Sequence, residues 1–163
     1  MAVLVSDTSV IIDLDRGSLL EDLFRLPFEF AVPDLLYRRE LQGELGDHLC
    51  ALGLRVEELT PTELARATVV GRERKVLSAP DTFAYALAEL REWPLLTGDG
   101  GLRRLCEEQH LTFHGVLWIC DQFEEGSYVA PDRLHASLTT ISAHPRCRLP
   151  VNEVGTRLAR YLG

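Results

Sequence analysis

Twice in this chain a short apolar run ends in a polar group containing an aspartate. Ala2-Val3-Leu4-Val5 passes into Ser6-Asp7-Thr8-Ser9, and Leu95-Leu96-Thr97 passes into Gly98-Asp99-Gly100-Gly101. Apolar runs this short read as strands, and runs without alternation read as strands buried on both faces, as in a parallel sheet. A helical pattern follows each one, so each aspartate falls at the carboxyl end of a strand, where a polar side chain caps the next helix. In open parallel sheets the ligand site lies outside those carboxyl ends, at the point where strand order reverses. Fold class and site location are therefore linked from the outset.

The intervening sequence fits the same alternation. Residues 19–26 repeat apolar side chains at helical spacing until Pro27, and residues 28–32 read as a second strand. Pro33 opens a helix expected to run to about Leu45, with Glu40 inside it and Gly46 as its exit. Residues 54–59 read as a strand, and Thr60-Pro61-Thr62-Glu63 is a capping sequence for the next helix. After a basic linker at 71–75, Ser78-Ala79-Pro80-Asp81 caps a helix and places Asp81 in its first turn. Residues 102–108 read as helix and 112–115 as a last short strand; 116–125, 131–142 and 151–162 read as helices. The prediction is an α/β fold, a mostly parallel sheet of short strands covered by helices on both faces.

At 163 residues and 46% hydrophobic composition, the chain has the length of one domain with a sizeable core. We expect a core over about 1–125 and a C-terminal helical extension over about 126–163. No stretch approaches the roughly 20 apolar residues that span a bilayer, and nothing at the start resembles a signal peptide, so a cytoplasmic protein without membrane association is expected. Cys50, Cys106, Cys120 and Cys147 stand far apart, without zinc-ligand spacing, and read as buried free thiols. The net charge of −8 is the wrong sign for a surface that grips nucleic acid everywhere. The basic residues are grouped, however, with Arg66, Arg72, Arg74 and Lys75 in one stretch, Arg103 and Arg104 in another, and Arg146 and Arg148 in a third. Solvated surface is the plain explanation of any one cluster.

Asp7 and Asp99 at strand ends, Asp81 at a helix start and Glu40 on a neighbouring helix are four acids that this fold can bring to one crevice. Carboxylates sharing a pocket repel one another, so such a cluster implies bound cations or a shared proton. Hard oxygen ligands suit Mg²⁺ or Mn²⁺, whose bound water attacks phosphorus without a side-chain nucleophile. Each acid also has a structural explanation. Asp7 could simply cap a helix, Asp99 could be a turn residue, Asp81 could complete a capping box, and Glu40 could lie on a charged face with Arg38, Arg39 and Glu44.

The order of motifs resembles the PIN-domain family, which includes the VapC-type toxins of toxin-antitoxin pairs. The resemblance rests on Val5 through Leu14, Val32 through Leu41, Pro80 through Ala88, and Leu95 through Leu102. It implies a metal-dependent ribonuclease with Asp7, Glu40, Asp81 and Asp99 as catalytic and metal-binding acids, and with Thr97, Thr8 and Ser9 as supporting hydroxyls. It also implies an RNA substrate, an antitoxin partner and a homodimer. Asp34 and Glu44 compete with Glu40 as the helix-borne ligand, and Asp13 is a candidate for an outer position. Two other readings stay open: a PIN-like binding or regulatory module that does not cleave, and a phosphatase with Asp7 as nucleophile. The second lacks an acid two residues after Asp7, where Ser9 stands.

Overall fold

The strands are β1 (Ala2–Ser6), β2 (Phe28–Pro33), β3 (Arg55–Glu57), β4 (Leu95–Leu96) and β5 (Phe113–His114). In the computed structural model, which describes residues 1–163, they form one parallel sheet in the order β3-β2-β1-β4-β5. The chain winds outward from β1 through β2 to β3, then crosses back to β4, so strand order reverses between β1 and β4. Val5 pairs with Leu95 and Ser6 with Leu96. The two strands therefore end level, and Asp7 and Thr97 leave the sheet side by side.

Strand burial explains the unalternating apolar runs. Leu4, Val5, Ala31, Val32, Leu95 and Leu96 are almost fully buried. Right-handed crossovers place the helices after β1 and β2 on one face and those after β3 and β4 on the other. The first group comprises α1 (Thr8–Arg16), α2 (Leu20–Leu23), α3 (Asp34–Leu36) and α4 (Glu44–Leu52). The second comprises α5 (Pro61–Glu73), α6 (Ala79–Arg91) and α7 (Gly100–Gln109). The middle of α6 is apolar all round because it lies between sheet and helix: it packs on β1, β2 and β4 with α5 against it. Ala84, Ala86 and Ala88 are fully buried, and their small size lets the helix approach closely. Glu63 completes the capping box of α5 and also receives two hydrogen bonds from Arg91, at 2.8 and 3.1 Å, which ties the start of α5 to the end of α6.

After β5 come α8 (Val116–Glu125), α9 (Pro131–Ala143) and α10 (Val151–Tyr161). Leu134, Leu138 and Ile141 bury α9, which packs on α1 and α8, and α10 packs on α9 through Val154 and Tyr161. Arg157 of α10 grips Asp121 of α8 with both ends of its guanidinium, at 2.8 and 2.7 Å. No helix is long and apolar enough to cross a membrane.

Several local expectations change. The helix expected from Pro33 to Leu45 is broken: after α3 the chain widens into a π-helical turn, Tyr37–Leu41, and reverses at Gly43, whose φ of +126° disfavours any side chain. Gly46 is no exit but a buried residue of α4. A Cβ there would lie 2.6 Å from the Leu41 carbonyl oxygen, so the close approach of α4 to the preceding turn requires glycine. The helix expected over 19–26 shrinks to the single turn of α2, and Gly71 to Glu73 belong to α5 rather than to a linker. Cys106 and Cys120 are buried as expected, whereas Cys50 is exposed on α4 and Cys147 is half-buried.

Candidate active site

Asp7 follows β1 and is the N-cap of α1, accepting a hydrogen bond from the Val10 N–H at 3.1 Å. Ser9 Oγ donates to both of its carboxylate oxygens, at 2.8 and 2.9 Å, and Thr97 Oγ1 donates at 2.5 Å from the end of β4. The same two hydroxyls also accept. Thr97 Oγ1 takes the Asp99 N–H at 3.0 Å, and Ser9 Oγ takes the Gly98 N–H at 3.2 Å. A hydroxyl can donate and accept at once, so Thr97 and Ser9 stitch the β1 and β4 ends into one unit around a carboxylate. Asp99 caps α7, accepting from the Leu102 N–H at 2.9 Å.

Asp7 is only 2% exposed and has no cationic partner. Burial pushes its carboxyl up to about 6; the hydrogen bonds from Thr97, Val10 and Ser9 oppose the rise, and the Asp81 charge adds to it. Asp81 is thus near enough for its charge to be felt at Asp7. It sits at the third position of α6 in a capping box, its backbone N–H donating to Ser78 Oγ at 3.3 Å and its carboxylate accepting from the Ser78 N–H at 3.0 Å. Thr8 Oγ1 is buried with no hydrogen-bond partner among the protein's own groups, which is unusual for a buried hydroxyl.

The structure does not bring all four acids together. Glu40 lies exposed on the π-helical turn and makes no hydrogen bond or ion pair, because the wider turn and the reversal at Gly43 replace the straight helix expected to aim it. Of its competitors, Asp34 accepts the Leu35 N–H at 2.8 Å and pairs with Arg38, and Glu44 is exposed. No three Asp, Glu, His or Cys side chains stand close enough to cage a metal ion by themselves. Asp7 with Asp81 suits a looser mode, in which Mg²⁺ or Mn²⁺ binds through one or two carboxylates and keeps several waters. A buried, raised carboxylate and an unpartnered hydroxyl beside it fit such an ion.

Beside these residues opens a cleft of about 570 Å³, lined in part by Ser9, Thr97 and Asp99. Asp13 lines it, half-buried and paired with Arg16 at 3.4 Å. Its far wall, from Arg146 to Arg157, comes from the C-terminal extension. The closeness of Arg146 and Arg148 in the chain is the only sequence signal for that wall; Leu149 and Glu153 give none, since their convergence with the rest of the cleft depends on how α10 folds back.

A doubly wound parallel sheet with a buried aspartate where strand order reverses defines the class: an α/β domain with an acidic site at its switch point. The family model described as DUF3368: PIN domain matches residues 3–161, and the chain belongs to that family. No curated protein matches it. Among solved structures, a toxin-antitoxin complex from Klebsiella pneumoniae is similar at 19% identity with a TM-score of 0.42, covering 62% of this chain and 94% of that one.

Proposed function

We propose that the chain is a cytoplasmic, metal-dependent endoribonuclease that hydrolyses RNA phosphodiester bonds through Asp7, Glu40, Asp81 and Asp99, and that it is the toxin of a toxin-antitoxin pair. Membership of the PIN-domain family supports nuclease chemistry. The observation that carries the reading is Asp7, a buried carboxylate without a cation, locked by Thr97 and Ser9 to the strand end that bears Asp99. A stability-driven sequence would not keep an uncompensated acid there, because burying a charge without a partner is costly.

Mg²⁺ or Mn²⁺ bound at Asp7 and Asp81, with Asp99 beside them, would supply a water acidic enough to attack phosphorus at neutral pH and would neutralise the charge that develops. The protein's own part is positional. Val10 N–H, Ser9 and Thr97 fix the Asp7 carboxylate, and the Leu102 N–H fixes that of Asp99. Glu40 stands apart from them on the exposed π-helical turn, a rare geometry that is frequent at functional sites, and its part in the reaction requires metal or RNA to draw it in. Its exposure also favours a second reading, a PIN module that binds without cleaving.

Incubating purified protein with a pool of structured RNAs, with Mg²⁺ or Mn²⁺ and beside EDTA, separates the two. Metal-dependent cleavage that disappears in Asp99→Asn supports the nuclease. Intact RNA under every condition, without metal uptake by calorimetry, favours the binding module. Co-purification with a small protein that suppresses cleavage would support the antitoxin, and sedimentation of the pure chain would decide the homodimer.

A further inference from the structure

We infer that the C-terminal extension forms a strand-holding wall, in which Arg146 and Arg148, lining the same cleft as Arg103, grip backbone phosphates of a single-stranded RNA entering the acidic site. This rests on the nuclease reading of that site and adds residues to it.

Charge pairing in the chain points to these three side chains. Of the 17 Lys and Arg side chains, ten are ion-paired with carboxylates; Arg103, Arg146 and Arg148 are among the seven that are not, and all three line this one cleft. The other two arginines there, Arg16 and Arg157, are neutralised by Asp13 and Asp121. In a chain of net charge −8, exposed arginines without carboxylate partners are where a polyanion can bind. Arg103 is held in place with its guanidinium over the Phe113 ring, 5.6 Å from the centroid. The Arg146 N–H donates to His144 Nδ1 at 3.1 Å and the Leu149 N–H to Cys147 Sγ at 3.5 Å, so the segment carrying the two arginines folds on itself rather than trailing away.

Shape selects the form of the polyanion. About 570 Å³ is the volume of a small-ligand pocket and admits one unstacked nucleotide but no duplex. Ile12, Leu117 and Leu149 add apolar lining that a sugar or base can rest against. Trp118 also lines it but offers no stacking platform, because His114 lies flat on it with ring centroids 4.0 Å apart and Phe28 packs against it at 5.7 Å. The cleft therefore holds the strand by phosphate charge and apolar contact, with little discrimination among bases.

The test is binding of a fluorescently labelled oligouridylate by the full chain in EDTA, which removes cleavage from the readout, measured by anisotropy across a salt series. Each phosphate contact to a single strand contributes about 0.7 to the slope of log affinity against log salt, so Arg146→Ala with Arg148→Ala should lower the slope by about 1.4. Binding at low salt should weaken at least tenfold. The matching double lysine variant should keep the slope, and Arg133→Ala, which removes a charge outside the cleft, should leave it unchanged. Far-UV circular dichroism checks that the variants fold. An unchanged slope in the double alanine variant, or no binding by the wild type at low salt, overturns the inference. If the slope falls but no RNA is ever cleaved, the nuclease reading fails and the wall stands. If cleavage is metal-dependent but the slope does not move, only the wall fails.

Discussion

Replacing Asp7 by Asn should make the protein's stability less sensitive to pH, and the size of the change follows from burial. The folded carboxyl is raised to about 6 from an ordinary 3.8. Well below pH 3.8 the group is protonated whether the chain is folded or not, and it imposes no penalty. Between 4 and 6 the unfolded chain releases the proton while the folded one retains it, so stability falls as pH rises. Above 6 the loss is complete, at about 3 kcal/mol. Asparagine is uncharged throughout. It forfeits some of the hydrogen bonds from Thr97 and Ser9, but that cost does not vary with pH and cancels when the variant is compared with wild type across the range. Urea unfolding of both proteins at pH 4 and pH 7, without metal, should show the variant gaining about 2.4 kcal/mol on wild type between the two, the rest of the loss having already occurred by pH 4. A gain below about 1 kcal/mol would refute the buried, uncompensated carboxylate. Mg²⁺ at pH 7 should stabilise wild type more than the variant, since an ion that binds only the folded site shifts the equilibrium.

Three further outcomes follow from the same structure. Thr97→Val keeps the shape but strands the Asp99 N–H and removes a donor from Asp7; it should cost about 1–3 kcal/mol in denaturant unfolding and raise the Asp7 carboxyl further, read from the same pH series. Gly46→Ala forces a Cβ to within 2.6 Å of the Leu41 carbonyl and should destabilise by about 1–3 kcal/mol, and a neutral effect would mean that α4 sits farther from the π-helical turn. With a chromogenic disulfide reagent, Cys50 should react in the native protein, whereas Cys106 and Cys120, whose thiols burial pushes up to about 12, should react only on unfolding.

The sequence by itself determined the alternation of strands and helices, because buried parallel strands and capped helices leave local patterns. Val3 to Val5 before Asp7, Leu95-Leu96 before Thr97, and the capping boxes at Thr60 and Ser78 each lie within a few residues of chain. Those patterns also located Asp7 and Asp99 at strand ends, and Asp81 in the first turn of a helix. Which of these groups meet is set by packing between segments far apart in the chain. The hydroxyl of Thr97 reaches Asp7 across 90 residues of chain because β1 and β4 are neighbours, a pairing that neither strand encodes locally. The setting of Glu40 shows the converse: a helical pattern does not reveal a π-helical turn, and α4 packs back against that turn through Gly46, a contact between segments that no local pattern encodes. The arginine wall is also a tertiary product. Arg103, Arg146 and Arg148 converge only because α9 docks on α1 and α10 on α9, and docking depends on surfaces far apart in the chain.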